Sequence, residues 1–370
     1  MKRLISFLCI ALLLTGCHSQ TDQTPADDTN WNMEASSQIL INTNSYMRNL
    51  LLTEDHMLAF IKARGERGDG SLIESLQNGK PEIMNDSPSS ACSFTSPDKC
   101  SGFIYGMIAP AYYKGKLYWF SNDYDQDSDT YIVGITRSNL DGTDRELFYS
   151  LKETTYHYSS SVPYFMAFHK NKIYVVYDGE IYFGDIQSSS LKKASIEGLE
   201  NVRGLFFEDN TMYVYAENYL DKDKEHLYVV LKGQLDMTQM EIISQNKETF
   251  YIDSRLQFYY GDNCVMMRNM HTNEEQKLAD GYCLYIFYDG NHYLLDSILG
   301  SENPYLMLLD ANGNQIVKKD LTFEKDRHSP QIFVDNKLYV YIDGECGYYE
   351  IKDKQILDYQ TYVIFENDRK

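Results

Sequence analysis

Short apolar runs, broken by turn residues, recur along most of the chain. In residues 333–340, apolar and aromatic residues flank the pair Asp335-Asn336. Asn, Asp and Gly tolerate the positive φ that a two-residue hairpin turn requires, and aromatic residues on either side favour strands. The segment therefore predicts a β-hairpin.

The same pattern returns along the chain. Copies of the hairpin occupy residues 52–59, 112–119, 168–175, 207–214, 251–258 and 287–294. From position 55 in the first turn to position 336 in the last, the six intervals range from 36 to 60 residues. Their mean is about 47, the length of a four-stranded propeller blade. Further strands are predicted at 131–138, 146–149, 305–309 and 315–319. The pattern predicts an all-β fold, a single β-propeller of seven four-stranded blades. Six blades are the alternative, since the copy at 52–59 lacks aromatic residues.

A propeller must also close its ring. Residues 38–42 and 361–365 are apolar, strand-like segments at opposite ends of the predicted domain. We expect one of them to complete a terminal blade and so to cover an exposed sheet edge.

Five tyrosines take the same place in the repeat: Tyr118, Tyr174, Tyr213, Tyr293 and Tyr339. A ligand site breaks repeat symmetry, because it needs different groups converging on one point, whereas a packing position keeps it. We expect these side chains to be buried between adjacent sheets, with their hydroxyls bonded to a neighbouring strand or loop.

Two motifs in the second copy resemble the bacterial relatives of the YWTD-type β-propellers. They are Lys-Leu-Tyr-Trp at 116–119 and Asn-Leu-Asp-Gly-Thr at 139–143. The resemblance extends more weakly over roughly residues 44–366, and the Tyr-Trp-Thr-Asp string itself is absent, since positions 121 and 122 are Ser and Asn. It implies a scaffold for protein–protein binding and does not identify the partner.

The N-terminus has the pattern of an export signal. Lys2 and Arg3 precede an apolar run at 4–14 that is too short to span a bilayer. The sequence Leu-Thr-Gly-Cys at 14–17 resembles the bacterial lipobox, in which the cysteine is acylated and the peptide is cut just before it. An ordinary signal peptide with a chance cysteine is the alternative.

These features divide the chain into three parts. We predict a lipoprotein signal peptide at 1–16, a flexible tether at 17–36 that carries palmitate or a similar lipid on Cys17, and the propeller domain at 37–370. The polar composition of the tether cannot bury enough apolar surface to fold. The predicted location is extracytoplasmic, with the lipid anchored in a bacterial cell membrane.

The charge of the chain narrows its partners. The formal net charge is −20, and loss of residues 1–16 removes two basic residues, which leaves 32 basic against 54 acidic residues, or −22. Such a field repels nucleic acid and anionic lipid headgroups. We expect a monomer that contacts the membrane through its anchor and binds a protein or glycan that the sequence does not identify.

The cysteines suggest one disulfide. Cys92 and Cys100 flank a polar loop, and outside the membrane such a close pair is typical of a disulfide; two free thiols are the alternative. Cys264 and Cys283 either pair or lie in the core. With Cys346 the number is odd, so at least one thiol is left over.

One loop has candidate metal chemistry. Its alternating carboxylates belong to Asp123, Asp125, Asp127 and Asp129. Alternate carboxylates can wrap a hard cation such as Ca²⁺ with oxygens, but Ser128 stands where an EF-hand loop has glycine. We predict at most weak Ca²⁺ binding, with a solvated acidic hairpin tip as the alternative and no other cofactor.

The sequence is compatible with two functions from different classes, a binding module and an enzyme. No nucleophile elbow, HExxH motif or phosphate-binding glycine loop is present, so no catalytic residue is predicted. The first hypothesis is a non-enzymatic binding or assembly module. The alternative is a carbohydrate-active hydrolase with two carboxyls in the propeller channel, about 5–9 Å apart.

Overall fold

All but one of the regular elements in the described part of the chain are β-strands. The computed structural model describes residues 50–53, 57–66, 68–77, 80–85, 92–125, 130–154, 165–188, 190–221, 224–281, 283, 285–297, 304–321, 328–342 and 345–364. These residues contain thirty strands and one 3-10 helix, Pro97–Lys99. The predicted all-β class is confirmed.

The strands form seven antiparallel sheets, each built from consecutive segments of the chain. Blade 1 contains β1 (Leu50–Leu52), β2 (Met57–Gly65), β3 (Gly68–Gln77), β4 (Lys80–Ile83) and β5 (Phe103–Tyr105). Blade 2 contains β6 (Ile108–Tyr113), β7 (Lys116–Asp125), β8 (Thr130–Asn139) and β9 (Glu146–Thr154). Blade 3 contains β10 (Phe165–His169), β11 (Lys172–Tyr177), β12 (Glu180–Asp185) and β13 (Lys192–Lys193). Blade 4 contains β14 (Val202–Glu208), β15 (Thr211–Asp221), β16 (Lys224–Gln234) and β17 (Glu241–Gln245). Blade 5 contains β18 (Glu248–Ile252), β19 (Leu256–Gly261), β20 (Cys264–Asn269) and β21 (Glu275–Asp280). Blade 6 contains β22 (Tyr285–Tyr288), β23 (His292–Asp296), β24 (Tyr305–Asp310) and β25 (Gln315–Asp320). Blade 7 comprises β26 (His328–Val334), β27 (Lys337–Ile342), β28 (Glu345–Lys352), β29 (Gln355–Ile356) and β30 (Gln360–Ile364). The prediction of seven blades is confirmed.

The ring closes by packing between blades 1 and 7. The first strand of each blade is innermost, and β1 lies beside β26. Leu50 of blade 1 shares a buried cluster with Ile332, Cys346 and Val363 of blade 7. The predicted C-terminal segment does complete a terminal blade, since β30 pairs with β28. The other segment, 38–42, lies outside the described residues.

Turn chemistry sets the hairpins as the sequence predicts. In blade 3 the turn residues Lys170 and Asn171 have φ of 47° and 61°, and in blade 7 Asp335 and Asn336 have φ of 50° and 58°. Positive φ at both central residues matches the right-handed twist of the flanking strands. The innermost hairpin of each of these blades is therefore specified locally.

Blade 6 departs from the repeat by one residue. Its turn is Gly290-Asn291, because the carboxylate of Asp289 accepts the backbone N–H groups of Asn291 and His292 at 2.8 and 2.7 Å. Since side chains alternate along a strand, a shift of one residue moves Tyr293 to the other face of β23. The sequence assignment of Tyr293 to the shared repeat position is therefore wrong.

Burial of the repeat tyrosines follows this register. Tyr118, Tyr174 and Tyr213 are buried and face the following blade, as in the contact of Tyr174 with Phe207, 4.7 Å between ring centroids. The Tyr174 hydroxyl donates to the carbonyl of Leu235, 2.9 Å away in blade 4.

The remaining two tyrosines differ. Tyr293 is also buried, but it packs against Tyr251 and Phe258 of the preceding blade, at 5.7 and 5.3 Å. Tyr339 is only partly buried, beside Tyr362 of its own blade. Burial between sheets is confirmed for four of the five tyrosines.

Candidate functional site

The two ends of the ring differ in their connections. At one end, here the tight-turn face, lie the hairpins between the first and second strands of each blade, with turns such as 114–115, 170–171 and 335–336. At the other, the long-loop face, lie the connections from second to third strands and from one blade to the next. Among the connections that lie wholly within the described residues, the longest runs from Lys193 to Val202.

On the tight-turn face, the turns of successive blades are hydrogen-bonded to one another. Lys114 Nζ of blade 2 donates to Asn171 Oδ1 of blade 3, at 2.7 Å. His169 Nε2 of blade 3 lies 2.6 Å from the carbonyl oxygen of Asp209 in blade 4. The turn residues thus join blades 2, 3 and 4.

Carboxylates continue this chain into blades 5 and 6. Glu208 of blade 4 accepts the backbone N–H and the hydroxyl of Ser254, at 2.8 and 2.7 Å. Asp253 of blade 5 accepts the hydroxyl of Tyr293 in blade 6. Each of these polar groups is therefore paired with a group of the neighbouring blade.

The innermost strands are irregular near the long-loop face. Register shifts interrupt the first residues of β6, β14, β18 and β26. A bulge leaves a residue unpaired in the ladder and re-aims its side chain, and bulges are common next to functional sites. In β14 the extra residue is Arg203.

Arg203 belongs to a polar cluster between blades 4 and 5, here called the Glu217–Glu248 cluster, of Arg203, Tyr215, Glu217, Tyr228 and Glu248. Tyr215 and Glu217 are two residues apart in β15 and so share one sheet face, and Tyr228 pairs with Glu217 across the ladder. Glu248 begins the innermost strand of blade 5. Alternation and one bulge therefore bring all five side chains together at the long-loop face.

The two carboxyl groups of the cluster have different surroundings. Arg203 Nη2 donates to Glu217 Oε2 at 2.8 Å, and these side chains are 28% and 24% exposed. Burial, followed by the charge of Glu217, raises the pKa of Glu248 above its usual value, and these causes outweigh a lowering by the nearby hydroxyl of Tyr228. The charged form of Glu248 is therefore under-stabilised.

The cluster also contains a buried hydroxyl group with no partner among the described residues. Tyr215 is 0% exposed and its hydroxyl makes no hydrogen bond there; Arg203 Nε is likewise buried without an acceptor. Burial, followed by the charges of Glu217 and Glu248, raises the pKa of Tyr215 well above its usual value. Buried polar groups normally have partners, and two of the few buried side-chain atoms without one in the described part of the chain belong to this cluster.

Among the residues predicted from sequence, Cys92 and Cys100 lie between β4 and β5, two strands that both pair with β3 in blade 1. The structure pairs them as a disulfide, with Cα atoms 4.9 Å apart. Cys100 is buried against Phe103, Leu72 and Ala63 of blade 1. Their oxidation in the cell stays a prediction.

The other three cysteines of the propeller are free thiols in the structure. Cys264, Cys283 and Cys346 are all buried. Cys283 Sγ lies 3.0 Å from the carbonyl oxygen of Tyr285, and burial raises its pKa. Of the two possibilities for Cys264 and Cys283, the structure has them in the core.

The predicted calcium loop is described only in part. The backbones of Asp123 and Asp125 belong to β7, where they pair with Ile132 and Thr130, and Asp127 and Asp129 lie outside the described residues. Among the side chains that the structure describes, no three His, Cys, Asp or Glu residues are grouped as metal ligands would be. Weak Ca²⁺ binding stays a prediction.

The predicted lipid site, Cys17, lies outside the described residues, as do residues 1–16 and the tether. Within the described ranges, no helix is long and apolar enough to cross a membrane.

Sequence reasoning missed the Glu217–Glu248 cluster. Its members come from four strands in two blades and form no local motif. The one available signal was alternation in β15, where Tyr213 and Tyr215 face the next blade and Glu217 continues their series. A carboxylate that faces a neighbouring blade is taken out of water and therefore requires a charged or hydrogen-bonding partner.

Two solved structures show similar folds. One is the β-propeller domain of the Trilobed protease from Pyrococcus furiosus, described as having an open velcro topology, with a TM-score of 0.52, 8% identity, and coverage of 88% of this chain and 100% of that one. The other is the computationally designed Ika8 protein, with a TM-score of 0.51, 13% identity, and coverage of 88% and 90%. At these identities the likeness shows the fold alone.

The fold defines the class of this protein, a seven-bladed β-propeller. The sequence matches no protein-family profile and no curated protein.

Proposed function

We propose that this protein is a lipid-anchored β-propeller of a bacterial cell surface, which binds a protein or glycan ligand on its long-loop face without catalysis. The lipobox-like motif at Cys17 and the polar tether at 17–36 support the location. The motifs at 116–119 and 139–143 support a scaffold related to the YWTD-type propellers.

The Glu217–Glu248 cluster is the observation that carries this proposal. A partly exposed ion pair, an under-stabilised carboxyl and a buried hydroxyl without a partner lie together at one end of the ring. Binding sites combine a largely apolar wall with a few polar groups that orient the ligand and provide specificity. On the opposite face the carboxylate of Asp253 is paired with Arg255 and also accepts the hydroxyl of Tyr293, so its partners come from the ring itself.

Site-specific photo-cross-linking in intact cells tests the binding face. Leu227, 56% exposed, lies three residues after the connection between β15 and β16, and a photoreactive amino acid there samples the long-loop face. Glu241, exposed at the tight-turn end of the same blade, is the matched control position. We expect specific adducts from position 227 and none from 241. Equal labelling, or none at 227, contradicts the proposed face.

The anchor has its own test. Cys17→Ser should release the protein from the membrane fraction or block its processing, because the thiol that accepts the lipid is gone. A variant that is processed normally and stays on the membrane contradicts the lipobox interpretation.

One observation favours a second candidate function, glycoside hydrolysis. Glu248, with its raised pKa, lies beside a second carboxyl that is ion-paired with Arg203. Glycosidases use one protonated and one ionised carboxyl in this way. Activity on a glycan panel that Glu248→Gln lowers at least about a hundredfold supports hydrolysis; activity that survives the substitution contradicts it.

A further inference from the structure

We infer that the Glu217–Glu248 cluster is a binding site for an organic cation, an ammonium or guanidinium group, held between the two carboxylates and the hydroxyl of Tyr215. This inference rests on the proposed binding function and adds the chemistry of the group that is bound.

The charges of the cluster are the first argument. Two carboxyl groups meet there, and Arg203 pairs with one of them, Glu217. The groups that act on Glu248 are Glu217, which repels its charge, and Tyr228, which is neutral. A cation beside Glu248 relieves this repulsion and gains most where water is partly excluded.

The tyrosines are the second argument. The rings of Tyr215 and Tyr228 are stacked with centroids 6.2 Å apart and planes 18° apart. Aromatic rings attract cations, and a phenol oxygen accepts hydrogen bonds as well as donating them. The N–H groups of an ammonium or guanidinium ion supply the donor that the Tyr215 hydroxyl lacks among the described residues.

The ligand inventory favours an organic cation over a metal ion. Calcium takes six to eight oxygen ligands, most of them carboxylate, carbonyl or water. Here two carboxyls and two phenols are available, and Glu217 already binds Arg203. An ammonium ion needs only about three acceptors, and Glu217, Glu248 and Tyr215 can provide them.

The same cationic chemistry comes from two sources, a free polyamine or a lysine or arginine side chain of a bound protein. Calorimetric titration of the full chain in non-ionic detergent separates them. The probes are n-butylammonium, methylguanidinium, spermidine and a neutral-flanked peptide with one lysine, at constant ionic strength, with CaCl₂ as the metal comparison.

We expect one saturable site with a Kd in the millimolar range for the simple cations, about what a single partly exposed charge pair with hydrogen bonds supplies. Glu248→Gln should weaken binding about tenfold, and Tyr215→Phe, which removes only the hydroxyl, about threefold to tenfold. Glu241→Gln, the matched charge control on an exposed residue of blade 4, should leave Kd unchanged. Tighter binding of the lysine peptide than of spermidine points to a protein partner, and the reverse points to a polyamine.

Three results overturn the inference: no saturable binding of any organic cation, an equal loss in Glu241→Gln, or Ca²⁺ binding that is tighter and equally sensitive to Glu248→Gln. If titration fails while position 227 still gives specific adducts in cells, the cation site is wrong and the binding function stands. If adducts are absent while titration succeeds, the cation site stands and the surface function is wrong.

Discussion

On the tight-turn face Ser254 donates twice to Glu208 of the neighbouring blade, whereas on the long-loop face Glu248 lies beside another carboxyl and under-stabilises its own charge. Both are glutamates between blades of one ring. Glu208 holds two blades together, whereas the charge of Glu248 is left for a bound ligand to neutralise. The contrast suggests that the fold is stabilised from one face and functions on the other.

The largest expected effect concerns packing between blades. Tyr174→Ala removes a fully buried ring that touches Phe207 of the next blade and a hydroxyl bonded to Leu235. We expect a loss of about 3–5 kcal/mol in the free energy of unfolding, as for other large core aromatics, measured by denaturant titration. Tyr174→Phe, the control, should lose only about 1 kcal/mol.

Tyr228→Ala gives the matched change on the long-loop face. Its ring is only partly buried, so its loss should be clearly smaller. Equal losses at positions 174 and 228 would mean that both faces contribute alike to the stability of the ring.

Asp253→Ala tests the linked turns. The Asp253 carboxylate accepts the backbone N–H groups of Arg255 and Leu256 at 2.7 and 2.8 Å, and the hydroxyl of Tyr293 from blade 6. Its removal leaves a buried hydroxyl and two N–H groups without their acceptor, for which we expect about 2–4 kcal/mol of destabilisation in urea.

Asp289→Ala is the matched control for that substitution. Asp289 caps its own turn in the same way, through Asn291 and His292, and its contact with the His292 ring stays within that turn. We expect about 1 kcal/mol there. If the two alanine variants lost the same amount, the bond from Asp253 to Tyr293 would add nothing beyond local turn capping.

Local chemistry explains how far the sequence predicts this molecule. The hairpins at Lys170-Asn171 and Asp335-Asn336 follow from residues that tolerate positive φ, so blade count and strand order were within reach. The position of Tyr293 could not be predicted in this way. Asp289 caps the turn and moves the turn by one residue, and this shift leaves the composition of the repeat unchanged. The Glu217–Glu248 cluster was harder still, since contacts between blades leave no trace in sequence spacing.

The Cys92–Cys100 disulfide lies near the long-loop face, since Asp98, between the two cysteines, accepts the backbone N–H of Glu66 in the connection from β2 to β3. Its removal tests whether this face depends on a local cross-link. Replacing both cysteines by serine should cost about 2–3 kcal/mol, the chain-entropy expectation for a loop this short. Peptide mapping under non-reducing conditions, on protein taken directly from cells, should recover the two residues in one linked fragment. Two free thiols in that experiment would remove the disulfide from the account of this face.

The smallest effect tests the charge of Glu248 itself. Its pKa is raised in the folded protein, so the folded state prefers the protonated carboxyl, and this contribution to stability is fully present below the unfolded value near 4.5 and lost as the pH rises through the folded pKa. Glutamine resembles the protonated form and does not titrate. Glu248→Gln should therefore stabilise the protein at pH 7, by under about 1 kcal/mol because the group is partly exposed. The gain should vanish near pH 4, in contrast to the losses expected from the tight-turn face.

Thermal unfolding at both pH values measures this gain, with Glu241→Gln as the control that should show no such pH-dependent gain. Destabilisation at pH 7 by Glu248→Gln would mean that the carboxylate already has a favourable partner, and the contrast between the two faces would fail at this residue.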